Sequence, residues 1–299
     1  MVNIAIVGMG LIGGSLGMAL RGCKARGKRL YHVTGIGRDT GKLASALELG
    51  AADRVTTDWP EGVREADIVV LCTPVDLVSP SIKRLLTGLK PGVILTDAGS
   101  VKGPVIRSVR TVLNQAYRSA GHRPSFIGAH PMAGAEKSGI RHARADLYRG
   151  AAVVLTPEAR SSRRALEAVR ALWNDAGART FCLDAGRHDR IVSVISHLPH
   201  ILSFTLSSSA GKLQKKEPLT ARLLAGSFRD MTRVADSNPG DWAVICHDNR
   251  NAVRAALGRY IEALTGVRRN LPSAARLEKI FAAGSNERKR LAAMRGWEG

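Results

Sequence analysis

The chain predicts an α/β fold in two parts: a doubly wound, mainly parallel sheet over residues 1–184, followed by an all-α C-terminal region over residues 185–299. Three observations carry this. A short apolar strand near the N-terminus runs straight into a glycine turn and then into a segment of helical character. Apolar runs of strand length alternate with helix-like segments as far as Leu183. Beyond about Asp184 the strand signals fade and helix follows helix.

Each element follows from its residues. Residues 2–7 are a strand, and Gly8-Met9-Gly10-Leu11-Ile12-Gly13 comes at once after it. In that pattern Gly8 allows a tight turn, Gly10 lets the backbone approach a pyrophosphate, and Gly13 lets the following helix pack closely on the strand. Leu11 and Ile12 begin that helix, whose N-terminus faces the phosphates. Strand, turn and helix together predict a dinucleotide-binding domain of Rossmann type.

A second strand, Tyr31–Ile36, leads into Gly37-Arg38-Asp39, where an acidic residue for a ribose 2′-hydroxyl usually stands. Arg38 could pair with a 2′-phosphate and so favours NADP, while Asp39 keeps NAD open. Strands at 68–72 and 93–96 end in Thr73-Pro74 and in Asp97-Ala98-Gly99-Ser100. Ligands on open parallel sheets bind at such carboxyl ends, which adds Thr73, Pro74 and Ser100 to the cofactor-facing set. Asp97 and Ser100 can also be read as caps of a helix starting near Val101. Strands at 125–129, 151–155 and 180–183 and a helix over 160–176 complete the domain, with its boundary near 184–187.

In the helical half, His188, His197 and His200 are followed by Arg229 and Arg233. His197 and His200 can share a helical face, and with His188 and Arg233 they read either as satisfied core or capping groups or as an anion-binding wall. Asp230 would orient a basic partner, and Trp242 would pack at the pocket or at a subunit edge. No metal site is predicted, since there is no H-E-x-x-H pattern or nearby carboxylate pair. The extensive apolar faces of these helices suggest burial against another subunit, which predicts a homodimer.

Composition narrows the function classes. At 299 residues and 44% hydrophobic content the chain can bury a substantial core. Its net charge of +20 is spread from Arg21 to Arg295 without a long basic run. That predicts a solvated surface attracting anionic ligands rather than a nucleic-acid interface. Cys23, Cys72, Cys182 and Cys246 show no C-x-x-C spacing and read as buried reduced thiols. Met1–Val7 reads directly as a strand rather than a leader, and charged residues interrupt every apolar stretch short of the roughly 20 residues of a membrane span, so a cytoplasmic location without a membrane role is expected.

The most informative block is Gly128-Ala129-His130-Pro131-Met132-Ala133-Gly134-Ala135-Glu136-Lys137-Ser138-Gly139. It sets one histidine at the end of an apolar strand, where it can work on a ligand. This block resembles the matching segment of the prephenate and arogenate dehydrogenases, the NAD(P)-dependent oxidoreductases of tyrosine biosynthesis, with Ala135 where serine is usual. Ser196-His197-Leu198-Pro199-His200 and Phe228-Arg229-Asp230-Met231-Thr232-Arg233 match the same family in order and rough spacing. The resemblance runs from Gly8 to about Asn251. It implies a helical C-terminal domain that dimerises, and a catalytic His130 that accepts the ring-hydroxyl proton of a cyclohexadienol as hydride passes to nicotinamide. It further implies that Ser100 holds that geometry, that His200 and Arg233 bind the substrate carboxylates, and that His188 is a further histidine of the pocket. The stretch 108–124 lengthens the connection from Ser100 to His130 and is expected to reshape the loop over the cofactor. Arogenate in place of prephenate, a dual cyclohexadienyl dehydrogenase taking both, another dehydrogenase of the β-hydroxyacid superfamily, and a non-catalytic nucleotide- or nucleic-acid-binding protein stand as alternatives.

Overall fold

A computed structural model describes residues 1–120, 124–134 and 137–296. Its strands are β1 (Val2–Val7), β2 (Lys24–Ala25), β3 (Lys28–Arg29), β4 (Tyr31–Ile36), β5 (Arg54–Thr56), β6 (Ile68–Leu71), β7 (Ile94–Asp97), β8 (Ser125–Pro131), β9 (Ala152–Thr156) and β10 (Arg179–Cys182). β2 and β3 form a separate hairpin, and the other eight make one sheet in the order β10-β9-β8-β7-β6-β1-β4-β5. Every pairing in that sheet is parallel except β8 with β9. The chain order reverses at β1, between β4 and β6, and the carboxyl ends of β1 and β6 open the crevice where a doubly wound sheet takes its ligand.

Alternation along the strands fills a core on each face. Ile4 and Ile6 of β1 join a cluster with Leu16, Leu20, Tyr148 and Trp173, while Ala5 and Val7 join Val69, Leu71, Val78 and Ile82 on the other side. The hairpin and β5 were not foreseen. Arg54-Val55-Thr56 is too short and too polar to stand out as an apolar run, and it is recruited by pairing with Thr34–Ile36.

The long connection after Ser100 is mostly helix, Gly103–Ala120, rather than loop. The helix expected over 160–176 is Arg163–Asp175, delayed because Ser162 caps it by accepting from the Ala165 N–H. Every secondary-structure element described after Cys182 is a helix. The chain forms two compact units, Met1–Arg250 and Asn251–Gly299, so the helices from Ala185 to Asp248 pack in one body with the sheet.

Two expectations are corrected. Cys182 is exposed on the edge strand β10, where Arg170 donates to its sulfur at 3.3 Å, and Cys23, Cys72 and Cys246 are only partly buried. The run Ala185–Gln214 is long and apolar enough to match a membrane span by length and composition. The charged residues expected to interrupt such a stretch lie near its two ends, in Arg187-His188-Asp189-Arg190 and at Lys212, and leave the stretch between them without a charged side chain other than histidine. A single π turn, Ser193–His197, lies within it. Pro199 has no N–H to give the carbonyl of Ile195, and the widened turn absorbs that lost bond.

Candidate active site

The glycine turn after β1 borders a cleft of about 500 Å³ lined by Gly8, Gly10, Arg38, Thr73, Pro74 and Ser138, among others. Gly8 has φ +98°, and a Cβ there would lie 2.5 Å from the carbonyl oxygen of Cys72, so only glycine joins β1 and β6 this closely. A Cβ on Gly10 would meet nothing, which leaves that face open to a ligand. A Cβ on Gly13 would lie 2.1 Å from the Gly8 carbonyl oxygen, the close helix-on-strand packing that the motif calls for.

The helix Leu11–Gly22 has no side-chain cap, so the amides of Leu11, Ile12 and Gly13 lack intrahelical acceptors. Leu11 and Ile12 turn their side chains to the core and have only backbone to offer. Thr73 Oγ1 is buried without a hydrogen-bond partner among the described residues. Open glycine, uncapped amides and an orphan hydroxyl around one cleft fit a dinucleotide.

The acidic side of that cleft is weak. Asp39 is occupied in capping the helix Thr40–Glu48, accepting from the Lys42 N–H at 3.0 Å. Arg38 is exposed on the wall together with Lys42 and Arg84, whose guanidinium lies 4.3 Å over the Trp59 ring. Ser138 and Gly139, from the far end of the His130 block, also line the cleft, so that one block serves both histidine and cofactor ends.

His130 stands near the end of β8, with 8% of its surface accessible. Its Nδ1 lies 2.8 Å from His188 Nε2, and His188 Nδ1 lies 2.8 Å from Asp189 Oδ1. Asp189 also accepts from the amides of Lys102 and Gly103, both at 2.8 Å, and so caps the helix Gly103–Ala120. Asp97 caps no helix, contrary to one expectation. It accepts instead from the amides of Gly99 (2.9 Å) and Ala129 (3.0 Å) and pairs with Lys102, whose ammonium also donates to the Ala129 carbonyl at 2.8 Å. This fully buried ion pair grips the backbone just before His130. Asn249 donates through Nδ2 to the Asp189 carbonyl (2.8 Å) and to His197 Nδ1 (3.2 Å).

Burial sets the protonation states. Desolvation, then His188, Lys102 and His197, hold His130 well below the usual imidazole range, so it is neutral at pH 7. Burial likewise pulls His197 down to about 4 and lowers His200. Burial works against ionisation of Asp189, but hydrogen bonds from His188 and the two helix amides outweigh it and leave its pKa below the usual carboxylate value. The Lys102 ammonium is pushed down by burial against the opposing pull of Asp97.

The other expected residues lie in three settings. His188, placed among the substrate-binding residues from sequence, has 1% exposure and both ring nitrogens engaged within the protein, so it stands behind His130. His197 is fully buried with Nε2 unpartnered among the described residues, and its ring meets Trp242 edge-on at 5.9 Å. His200 stacks on Trp242 with centroids 3.5 Å apart and donates from Nδ1 to the Ser196 carbonyl at 2.9 Å. Ser100 is half-buried three residues after Asp97 and makes no side-chain hydrogen bond among the described residues. Arg233 is exposed and opens the turn Arg233–Asp236, which packs against the helix Leu198–Gln214 that carries His200. Asp230 pairs with Arg229 at 3.3 Å on the surface. Ala135, where the family usually has serine, lies outside the described residues.

Sequence reasoning missed Asp189 and Asn249 and gave Lys102 no role. The adjacency of His188 and Asp189 was a signal. Asn249 had none, since it stands 60 residues from the carbonyl it binds.

Two family models match the chain: Prephenate dehydrogenase, nucleotide-binding domain, over residues 19–182, and Prephenate dehydrogenase, dimerization domain, over residues 184–282. The chain is 33% identical over 267 residues to the prephenate dehydrogenase of Bacillus subtilis (strain 168), covering 89% of this chain and 69% of that one. It is 35% identical over 274 residues to the cyclohexadienyl dehydrogenase of Zymomonas mobilis, covering 91% and 89%. Among solved structures, the prephenate dehydrogenase of A. aeolicus in complex with hydroxyphenyl propionate and NAD+ is similar with a TM-score of 0.85 at 29% identity, covering 98% of each chain. Synechocystis arogenate dehydrogenase is similar with a TM-score of 0.78 at 28% identity, covering 97% of this chain and 100% of that one.

Proposed function

The chain belongs to the prephenate dehydrogenase family, and from that premise we propose that it oxidises prephenate to 4-hydroxyphenylpyruvate and carbon dioxide, with NADP⁺ preferred over NAD⁺. One observation carries the reading: His130 is neutral, its Nδ1 is engaged inside the protein, and its Nε2 takes no partner within the described chain and is not sealed from solvent. Such a nitrogen, beside the carboxyl ends of the parallel strands, is a general base.

Bound nicotinamide supplies the hydride acceptor. As hydride leaves the ring carbon bearing the hydroxyl, the O–H bond breaks and its proton passes to His130 Nε2. The ring carboxylate departs as carbon dioxide, its bonding pair enters the ring, and the phenolate formed takes the proton back from His130. No net proton is released, so His130 must both accept and return it, which suits a base that is not strongly basic. Ser100, with its hydroxyl uncommitted, would hold the ring hydroxyl against Nε2.

Prephenate is a dicarboxylate, and a chain of +20 net charge attracts it. His197 accepts from Asn249 at Nδ1 and therefore carries its proton on the orphan Nε2, a buried donor suited to a carboxylate. His200, held flat against Trp242, and Arg233 complete the carboxylate wall in this reading. Arg38 and Lys42 beside an otherwise occupied Asp39 support NADP⁺, through contact with a 2′-phosphate. Residues 1–184 hold the cofactor and 185–299 the substrate carboxylates and the homodimer contact. Val194, Ile195 and Leu206, 39–60% exposed, are apolar surface for that contact. We take the enzyme to be cytoplasmic.

The likeness to a cyclohexadienyl and an arogenate dehydrogenase favours a second reading in which arogenate is also taken. Steady-state reduction of NADP⁺ and of NAD⁺, each with prephenate and with arogenate, separates these. Highest kcat/KM for prephenate with NADP⁺ is expected. A higher value with arogenate or NAD⁺ overturns the corresponding preference, and no turnover in any of the four overturns the reaction.

A further inference from the structure

We infer that His188 and Asp189 are positioning residues, forming a relay that fixes His130 as the Nδ1–H tautomer and so presents a bare Nε2 to the substrate. The inference rests on the proposed role of His130 as base. Two contacts of 2.8 Å, His130 Nδ1 to His188 Nε2 and His188 Nδ1 to Asp189 Oδ1, link the three side chains.

Asp189 already accepts from the Lys102 and Gly103 amides, and an ionised carboxylate has no proton to give, so His188 must donate from Nδ1. In the relay we infer, His188 holds that one ring proton, so its Nε2 is bare and can only accept. His130 must therefore donate from Nδ1, which leaves its own Nε2 without a proton. The same ordering of acid, imidazole and reacting centre underlies nucleophile triads, with a second imidazole here in place of the nucleophile.

The surroundings hold this order in place. Asp189 is anchored by the first amides of the helix Gly103–Ala120, and its backbone carbonyl is held by Asn249. Asp97 and Lys102 grip the Ala129 backbone, so the strand under His130 and the ring behind it are fixed independently. The charged and titratable groups facing His130 are His188, Lys102 and His197, of which Lys102 is matched by Asp97. Asp189 is then the negative charge at the far end of the relay, two imidazoles from the proton that His130 takes up. When that proton arrives, the positive charge on His130 is stabilised along the chain without any proton leaving it.

Substitution separates the two contacts of His188. In His188→Gln the amide reaches the place of the distal ring nitrogen and can still accept from His130 Nδ1. In His188→Asn it reaches only the proximal place, keeping Asp189 and abandoning His130. We expect kcat for prephenate within about threefold of the parent in His188→Gln, and a fall of roughly 10- to 100-fold in His188→Asn and in Asp189→Asn, with KM little changed. In Asp189→Asn the acid limb of kcat/KM should also move to lower pH, because the buried negative charge favouring protonated His130 is gone. Nitrogen-15 NMR of histidine-labelled full-length protein should show His130 protonated at Nδ1 and bare at Nε2 in the parent.

Equal activity in His188→Gln and His188→Asn, a loss confined to KM, or a parent His130 bare at Nδ1 overturns the relay. Should Asp189→Asn fail to fold, the two His188 variants and the NMR assignment still decide it. Full activity in His130→Asn would instead overturn the base reading, and the NMR result would stand apart from it.

Discussion

The cofactor cleft and the histidine cluster share one sheet but are built from different materials. The cleft is made of backbone: Gly8 at φ +98°, Gly10 with nothing facing its missing Cβ, and uncapped amides at the start of the helix Leu11–Gly22. The cluster is made of side chains, with Asp97, Lys102, His130, His188, Asp189, His197 and Asn249 all at least nine-tenths buried. A backbone site fails when atoms are added, because its function is shape. A side-chain site fails when a donor, an acceptor or a charge is altered, because its function is protonation state.

The strongest way to break the comparison is His130→Asn, which alters no shape in the cleft. We expect kcat to fall by about 10² to 10⁴ with reduced-cofactor affinity kept, measured by stopped turnover and by fluorescence titration. Loss of cofactor binding in that variant would show the two regions to be one.

Next in size is acid sensitivity of the cluster. The unfolded His197 takes up a proton near 6.5, whereas burial in the folded chain delays this to about 4. Between those values the unfolded state binds more protons, so stability is highest above 6.5 and falls as pH drops toward 4, by about 3 kcal/mol from this ring. Denaturant unfolding across that range should show the slope, and His197→Gln should flatten it. An unchanged slope would mean that the ring is charged when folded.

Gly8→Ala should do the converse in the cleft. A methyl at φ +98° against the Cys72 carbonyl costs about 2 kcal/mol or more, with cofactor affinity lost and the His130 tautomer retained. A variant as stable and as tightly binding as the parent would deny the cleft its shape-based character. The smallest effect sharpens rather than breaks the contrast: Arg38→Ala, on the exposed wall, should lower kcat/KM for NADP⁺ about tenfold and leave NAD⁺ nearly unchanged. An equal loss for both cofactors would make Arg38 a general phosphate contact.

Much of the cleft was legible because its geometry is local. The glycines at 8, 10 and 13 constrain torsions within one turn, and Thr73 and Pro74 follow directly from a strand end. β5 escaped because its pairing with β4, and not its own pattern, makes it a strand. The histidine block announced a working residue, yet the assignment of His188 to the substrate wall could not foresee that both its nitrogens are used inside the protein. Nor could Asp189 be seen as the cap of a helix 86 and 87 residues earlier in the chain.

The sequence by itself determined the alternation of the apolar strands with helices, the glycine turn, and the presence of one histidine at a strand end, since each depends on neighbours within a few residues. Only the tertiary structure decided which nitrogen of His130 is bare and why it stays neutral. Those properties arise from removal from water and from partners brought together across 58 to 87 residues, and no spacing along the chain encodes them.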